Sequence, residues 1–310
     1  MDKKRAFWFD CAVYLLIRVL VCVVQALSWP WALGFAHLLA AFAYRMDRRH
    51  RAVADDNLRH AFPELSPAQR AALVRSTYEH FAAMAVEIIR LPRSLRPANV
   101  DDFFHWADPQ DLDRMFAWWR SGRPLLGLTG HFGNWEVLSY VFGMGGCRSG
   151  IVARRLDNAY LDRWAAGLRR KTGLTLLDKH RDYPQMLDIL ERGGSLGMVG
   201  DQDAGARGLF VDFLGRPAST FKSIAILSLQ YGAPILVLGA ARVGHPLRYV
   251  IYLEDTILPE DYQDRSDATH AITQRYTQAL ERLIRRHPEQ YFWLHRRWKS
   301  QPRVRARRVA

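Results

Sequence analysis

The first 46 residues differ from the rest of the chain in their hydrophobic pattern. Residues 11–27 are nearly all apolar, Trp29-Pro30-Trp31 interrupts the pattern, and residues 32–44 are apolar again. Each run is shorter than the ~20 residues that span a bilayer comfortably. Tryptophans near the run ends and basic residues on both flanks are nevertheless typical of a cytoplasmic membrane surface. We therefore predict that residues 1–46 form a membrane anchor, either one inserted helix or a shallow helical hairpin.

Two other interpretations of this segment exist. A cleaved signal peptide would end in a small-residue site followed by polar sequence, whereas here the apolar sequence continues, so we reject cleavage. Two core helices of a soluble domain are the other alternative, and the pattern alone leaves it open.

Residues 47–299 show the alternation of short apolar runs and amphipathic stretches that is typical of an α/β domain. Residues 50–66 lack this pattern and are interpreted as a connector. Ser66-Pro67 is a helix-start signal, and we expect that helix to end at Leu91, before Pro92. Core strands are predicted at residues 125–129, 151–153, 174–177, 196–199, 234–240 and 247–253. The expected fold is α/β, with a mixed central sheet and helices on both sides.

The charge balance indicates a polyanionic partner. The chain has 310 residues and a net charge of +13, which suits nucleic acid, anionic lipid or an acidic carrier protein. No helix-turn-helix, zinc-finger or RNA-binding signature is present, so nucleic acid is not expected. The three cysteines are scattered and form no metal or disulfide pattern. Residues 300–310 form a basic tail, either a solvated terminus or a contact for anionic headgroups or a carrier protein.

The strongest chemical signal lies where the predicted strand 125–129 ends and a helix begins. His131 occupies this junction, where backbone N–H groups are free and the helix dipole favours negative charge. Glu136 follows five residues later, and across a glycine-containing turn its carboxylate could hold one imidazole nitrogen. The other nitrogen would then accept a proton, as in general-base catalysis. The alternative is a buried histidine in a glycine-rich turn.

Two further strand ends carry polar residues. Asp201-Gln202-Asp203 follows the predicted strand 196–199, at the edge where open α/β sheets place their chemistry. Asp201 is a second candidate for orienting His131. A divalent-cation site is the alternative, but no further ligand cluster follows, so no metal is expected. Arg154 follows strand 151–153 and would suit a phosphate or an oxyanion, unless it lies in a solvated basic turn.

Together these stretches resemble the bacterial lipid A late acyltransferases, a lauroyl/myristoyl transferase family among the glycerolipid-type acyltransferases. The resemblance rests on four segments: the His-x4-Asp/Glu motif in His131-Phe132-Gly133-Asn134-Trp135-Glu136, the Arg-x-x-x-Asn segment from Arg154 to Asn158, Asp201-Gln202-Asp203, and the closing Trp293-Leu294-His295-Arg296-Arg297-Trp298-Lys299. Where the family usually has Phe-Phe-Gly, this chain has Phe213-Leu214-Gly215.

The resemblance implies an O-acyltransferase on the cytoplasmic face of the bacterial inner membrane. It would move a fatty acyl chain from an acyl carrier protein or CoA thioester to a hydroxyl of a lipid A precursor or related glycolipid, without a cofactor. His131 would be the general base, Glu136 or Asp201 would stabilise the imidazolium, and backbone N–H groups near Gly133 or Arg154 would stabilise the oxyanion. The expected substrate-binding residues are Gly133, Asn134, Arg154, Gln202, Asp203, Arg207, Phe213, Leu214, His295 and Arg296. Phe213 and Leu214 are expected to wall the acyl groove.

Other functions are compatible with the sequence. A related acyltransferase could use a phospholipid, an ornithine lipid or a phosphoinositide mannoside as acceptor. A non-enzymatic basic membrane adaptor would instead make His131 dispensable.

Overall fold

The computed structural model describes residues 7–144, 149–170, 173–179, 181–244 and 247–302. The basic residues at the start of the chain, Cys147 and most of the predicted basic tail lie outside the described residues. The described helices are α1 (Phe7–Ala26), α2 (Trp29–Met46), α3 (Arg48–Ala61), α4 (Pro67–Ser94), α5 (Val100–Phe103), α6 (Gln110–Arg120), α7 (Trp135–Met144), α8 (Ala159–Arg170), α9 (Tyr183–Glu191), α10 (Ser223–Tyr231) and α11 (Ala268–Arg286).

The described strands are β1 (Phe104–Trp106), β2 (Leu125–Thr129), β3 (Ser149–Ala153), β4 (Thr175–Asp178), β5 (Ser195–Val199), β6 (Leu209–Phe213), β7 (Arg216–Thr220), β8 (Ile235–Arg242) and β9 (Tyr249–Ile257). Seven of these described strands form one sheet in the order β1-β9-β8-β2-β5-β3-β4, and β6 and β7 form a separate hairpin. The β8–β9 pair is antiparallel, whereas β2 is parallel to both of its neighbours. The predicted α/β class with a mixed central sheet is therefore confirmed.

Helices cover both faces of the sheet because successive strand residues point to opposite sides. On one face, Leu126 and Leu196 pack in a core cluster with Ile224 of α10. On the other face, Leu238 of β8 packs in a second cluster with Leu138 of α7. The carboxyl ends of β2, β5 and β3 therefore emerge side by side between two layers of helices.

The two N-terminal helices pack against α4. Val24 of α1, Ala32 and Ala36 of α2, and Val86 of α4 form a small buried cluster. The outer faces of α1 and α2 expose large apolar side chains, with Trp8, Leu16 and Phe42 all more than half exposed. α1 has 20 residues and is long and apolar enough to cross a membrane by length and composition. It begins at Phe7 rather than at residue 11, so the predicted apolar run was too short.

Two element predictions are wrong. Most of the expected connector forms the helix α3, in which Ala54, Leu58 and Ala61 are buried at helical spacing. The many charged residues on its outer face interrupt the apolar pattern in the sequence, so the short buried stripe was not recognised. Helix α4 also continues past Pro92 to Ser94, because a proline in the last turn removes one N–H donor while Leu95 still donates to the Leu91 carbonyl at 2.9 Å.

Candidate active site

The register of the two central strands brings His131 and Asp201 together. Thr129 of β2 pairs with Val199 of β5 in parallel register, and the Gly200 N–H donates to the Thr129 carbonyl at 2.9 Å. The next residues along both chains are therefore neighbours. Gly130 allows the close approach, since a Cβ there would lie 3.3 Å from the Asp201 carboxyl group.

Asp201 holds His131 through both the imidazole ring and the backbone. Its Oδ1 lies 2.7 Å from His131 Nδ1, and its Oδ2 accepts the His131 backbone N–H at 2.9 Å. The Asp201 side chain is 1% exposed, whereas that of His131 is 23% exposed. Because an ionised carboxylate only accepts, Nδ1 carries the proton and Nε2 presents a lone pair, as a general base requires.

Opposing effects set the pKa values of this pair. Burial lowers the pKa of His131, but the charge and hydrogen bond of Asp201, together with the Glu136 charge, outweigh burial and raise it above its usual value. Burial raises the pKa of Asp201, yet His131 and its two hydrogen bonds bring it down to about 2. Asp201 therefore stays ionised wherever the protein is folded near neutral pH.

The backbone N–H groups of the turn after His131 form hydrogen bonds within the fold. Gly133 has a φ of +57°, and a Cβ there would overlap the Ala240 carbonyl oxygen, so only glycine fits. The Gly133 N–H donates to the Gln290 carbonyl and the Asn134 N–H to the Ala240 carbonyl, both at 2.9 Å. Of the backbone N–H groups near Gly133 that were predicted to stabilise an oxyanion, these two are therefore already paired within the fold.

A buried polar network anchors this turn from α4, β8 and β9. Asn134 is fully buried, and its Nδ2 donates to Tyr249 Oη at 2.9 Å. Tyr249 in turn donates to Glu87 Oε2 at 2.5 Å, and Glu87 pairs with Arg242 Nε at 2.8 Å. His80 also reaches the Gly133 carbonyl at 3.1 Å. Asn134 is thus a structural residue rather than the predicted substrate contact.

Three further side chains surround the exposed side of the His131 ring. The Gln202 amide nitrogen lies 3.3 Å from His131 Nε2, at the position of a donor. The Trp135 ring lies 4.9 Å from the imidazole, in an edge-on contact. Glu136 lies in the first turn of α7 and acts on His131 through its charge rather than through the hydrogen bond that Asp201 makes.

The closing motif, residues 293–299, forms hydrogen bonds with the Asp201–Asp203 loop and with β7. Arg297 is 1% exposed, and it donates to the Ser219 carbonyl and Thr220 hydroxyl at 2.5 and 2.6 Å. His295 Nε2 accepts the Asp203 N–H at 3.3 Å, and burial lowers its pKa to about 4, so it remains a neutral acceptor. Arg296 points outward and is exposed. Arg296 was predicted to contact substrate and Arg297 was not predicted to have a role, because a charged residue is rarely fully buried.

Arg154 lies at the same sheet edge but in a more open position. Its side chain is 72% exposed and pairs with Asp157 at 3.1 Å. Asn158, the other end of this motif, caps α8 by accepting the Tyr160 N–H at 3.0 Å. The Asn158 amide also donates to the Asp10 carbonyl of α1 at 2.9 Å. The segment therefore links the N-terminal helices to the edge of the site.

Three predicted substrate-binding residues are not brought to the site. Phe213 is buried and packs against the rings of Tyr291 and Trp298. Leu214 is 2% exposed and has a φ of +53°, which identifies it as the first residue of the β6–β7 hairpin turn. Arg207 is exposed in the turn before β6. Phe213 and Leu214 thus form hairpin core, and the predicted acyl wall is not there.

An apolar cavity of about 580 Å³ opens beside His131. Its lining at the carboxyl ends of the strands includes His131, Trp135, Glu136, Arg154 and Gln202. We call this end the mouth, because the Arg154 side chain there is largely exposed. Under α7 the cavity follows β2, β5 and β3 towards Leu125, Ser149, Ser195 and Trp119. Met186 of α9 and Ile224 and Leu227 of α10, which pack on the other face of the sheet, also line it. Its volume is that of a typical small-molecule site. Among the described residues, no group of three His, Cys, Asp or Glu side chains is placed to hold a metal ion.

Comparison with known proteins identifies the family. The family described as bacterial lipid A biosynthesis acyltransferase matches residues 3–300. The chain is 27% identical to the lipid A biosynthesis lauroyltransferase of Escherichia coli K12 over 293 residues, 92% of this chain and 90% of the relative. It is 24% identical to the E. coli palmitoleoyltransferase over 278 residues, 89% and 87% of the two chains. It is also 24% identical to the lipid A biosynthesis acyltransferase of Haemophilus influenzae over 303 residues, 97% and 92% of the two chains. Because the family match spans nearly the whole chain, the protein belongs to the bacterial lipid A biosynthesis acyltransferase family and is an acyltransferase.

Proposed function

We propose that the protein transfers a fatty acyl chain from an acyl carrier protein or CoA thioester to a hydroxyl group of a lipid A precursor, with His131 as general base. The observation that carries the proposal is the position of His131. Its Nδ1 is fixed by Asp201 at 2.7 Å, and its ring lies at the mouth of the apolar cavity. A base at the entrance of an apolar cavity suits a reaction at the polar end of a fatty acyl chain.

In this reaction the acceptor hydroxyl oxygen attacks the thioester carbonyl carbon. His131 Nε2 takes the hydroxyl proton, the new C–O bond forms, and the C–S bond then breaks. The proton passes from Nε2 to the departing thiolate, so that histidine returns to its neutral form. The Asp201 carboxylate stabilises the transient imidazolium.

The developing oxyanion needs a hydrogen-bond donor near the base. The Gly133 and Asn134 N–H groups are already used. The Gln202 amide nitrogen lies 3.3 Å from His131 Nε2 and carries two N–H donors, so one remains for the oxyanion. Gln202 therefore supplies the donor in this proposal. Arg154, at the outer mouth of the cavity, faces the polar part of the donor or acceptor, where its charge suits phosphate.

The reaction takes place at a membrane surface in this proposal. The exposed apolar faces of α1 and α2 provide insertion area. The exposed Arg45, Arg48 and Arg49 lie where α2 ends and α3 begins, and their charges suit anionic headgroups. The inner membrane and its cytoplasmic face would place the site beside soluble thioester donors.

The decisive experiment compares the wild-type protein with His131→Asn and His131→Ala. Each purified protein is given an acyl carrier protein thioester or acyl-CoA, with a lipid A precursor, a phospholipid, an ornithine lipid or a phosphoinositide mannoside as acceptor, and products are followed by mass spectrometry. We expect transfer to the lipid A precursor and a loss of ~10²–10⁴-fold or more in both variants with unchanged thermal unfolding. Full turnover by a folded variant would refute the mechanism, and transfer to another acceptor alone would reassign the substrate.

A further inference from the structure

Two glycines face each other across the central strands in the wall of the apolar cavity. Gly127 of β2 and Gly197 of β5 are paired in register, and both line the cavity. Neither has the positive φ that favours glycine over other residues. Glycine within a strand weakens the strand relative to alanine, so this pair requires another explanation.

Steric conflict does not explain it. A Cβ added to Gly127 would lie no closer than 3.9 Å to any atom, and one added to Gly197 no closer than 3.7 Å. Both are ordinary van der Waals distances. By contrast, a Cβ at Gly150 would approach Leu177 Cδ1 to 2.5 Å, and one at Gly200 would approach Leu128 Cδ1 to 2.7 Å. There is therefore space for a methyl group at positions 127 and 197, and this space is part of the cavity.

The two positions face the part of the apolar cavity that lies on the α7 side of the sheet. The nearest side chains to the added Cβ atoms would be Leu238 for Gly127 and Ile151 for Gly197, and both of these line the cavity. Leu238 also belongs to the cluster that contains Leu138 of α7. A side chain at either position would therefore point towards α7, the helix that covers this part of the cavity.

The glycine pair also lies at an intermediate depth. Gly127 precedes Thr129 by two residues, which places it ~7 Å below the carboxyl end of β2. The cavity continues beyond it to Leu125, Ser149 and Ser195 at the amino ends of their strands. A chain entering beside His131 must pass over the two glycines to reach that end.

We propose that Gly127 and Gly197 determine the acyl-chain length that the enzyme accepts, because their missing side chains keep the cavity open past its midpoint. The inference rests on the proposed acyl transfer. It assigns chain-length selection to the floor of the sheet rather than to Phe213 and Leu214 in the hairpin.

The test uses Gly127→Ala, Gly197→Ala and the larger Gly197→Val in the full chain. Gly167→Ala is the matched control, since a Cβ there meets nothing within 4 Å. Pairs of thioester donors that differ by two carbons compete for one acceptor. We expect each cavity variant to favour the shorter donor by roughly tenfold more than the wild-type protein. Turnover of the shortest donor and thermal unfolding should be retained, and the control should match the wild-type protein.

A second measurement separates this inference from the proposed function. Binding of free fatty acids of increasing length is measured by displacement of a fluorescent fatty acid, without any acceptor. The alanine variants should lose affinity for the longest acids and keep it for shorter ones. Equal weakening for all lengths, or an unchanged length profile in folded variants, would overturn the chain-length inference while leaving acyl transfer intact. Absence of transfer by the wild-type protein with a length profile that still shortens would refute the proposed function alone.

Discussion

Asp201 accepts two hydrogen bonds from one residue, from His131 Nδ1 at 2.7 Å and from the His131 backbone N–H at 2.9 Å. The carboxylate therefore fixes the position of the backbone and the orientation and tautomer of the ring together. Asp201 contacts His131 directly, and its carboxylate is almost completely buried. This two-point contact makes Asp201, rather than Glu136, the residue that fixes the orientation of the His131 ring.

Replacement of Asp201 by asparagine should change both the rate and its pH dependence. The turnover number should fall by ~10²–10⁴-fold, because the imidazolium loses its counter-charge and Nδ1 loses its fixed proton. The proposed mechanism requires neutral His131, whose pKa Asp201 raises, so in the wild-type protein activity should rise with pH through a midpoint above ~6.5. In Asp201→Asn only burial and the weaker Glu136 charge remain, so this midpoint should move to lower pH.

The measurement is kcat/KM as a function of pH, with Glu136→Gln as the comparison. Glu136 acts on His131 by charge without the short hydrogen bond, so its variant should shift the midpoint in the same direction by less. An upward shift in Asp201→Asn, or a larger shift in Glu136→Gln, would contradict the assignment.

Gln202 should affect the rate without moving the pH profile. Gln202→Leu removes the amide donor near His131 Nε2, and loss of one oxyanion donor typically reduces kcat by ~10²–10³-fold. Because Gln202 carries no charge, the midpoint of the pH profile should stay within the error of the wild-type value. Steady-state kinetics at several pH values provide the check. Gln202→Asn keeps an amide on a shorter side chain and should retain more activity than Gln202→Leu; equal turnover by all three proteins would remove Gln202 from the mechanism.

Much of the site was accessible from the sequence because strand ends carry it. The run 125–129 and the run 196–199 identified β2 and β5. After each strand comes one glycine and then His131 or Asp201. The order of the strands within the sheet could not be predicted from the sequence. Only the pairing of Thr129 with Val199 selects Asp201 over Glu136 as the partner of His131, and that pairing joins residues 70 positions apart.

The failures have local physical causes. Leu214 was expected to face the substrate, but it lies in the hairpin turn with a left-handed backbone conformation and a buried side chain. Arg296 was predicted to contact substrate instead of Arg297. A loop has no repeating hydrophobic pattern from which to predict which of two adjacent residues is buried. The donors of Gly133 and Asn134 were expected to be free, but β8 and the segment before Tyr291 take them, and neither contact is visible locally.

The Tyr249 hydroxyl should contribute to stability more than its single oxygen suggests. It accepts from Asn134 and donates to Glu87, both of which are buried. Tyr249→Phe removes one hydrogen bond from each of two buried polar groups, Asn134 and Glu87, at a cost of ~1–3 kcal/mol in the free energy of unfolding. Chemical denaturation measures this difference. Tyr252→Phe, on the same strand but partly exposed and bonded to His287 at 3.1 Å, should cost less; the reverse order would contradict the role of the network.

Membrane attachment is best tested by point substitutions on α1. Deletion of residues 1–46 would also uncover Val86 of α4, which packs against α1 and α2. Leu16 and Val19, by contrast, are 70% and 62% exposed, so charges there leave the protein core intact. If these side chains insert into lipid, Leu16→Asp combined with Val19→Asp should reduce binding to anionic vesicles by at least roughly a hundredfold, because apolar burial is lost and charges enter the membrane.

The control for that experiment adds the same two charges elsewhere, as Gln263→Asp with Ser266→Asp, since both positions are exposed and distant in sequence from α1. Vesicle sedimentation at low and high salt measures the attachment. The α1 variant should retain only the attraction between Lys or Arg and anionic lipid, which salt screens, so high salt should release it while the wild-type and control proteins stay bound. Equal retention of the α1 variant at high salt would mean that α1 does not insert and that another surface holds the protein on the membrane.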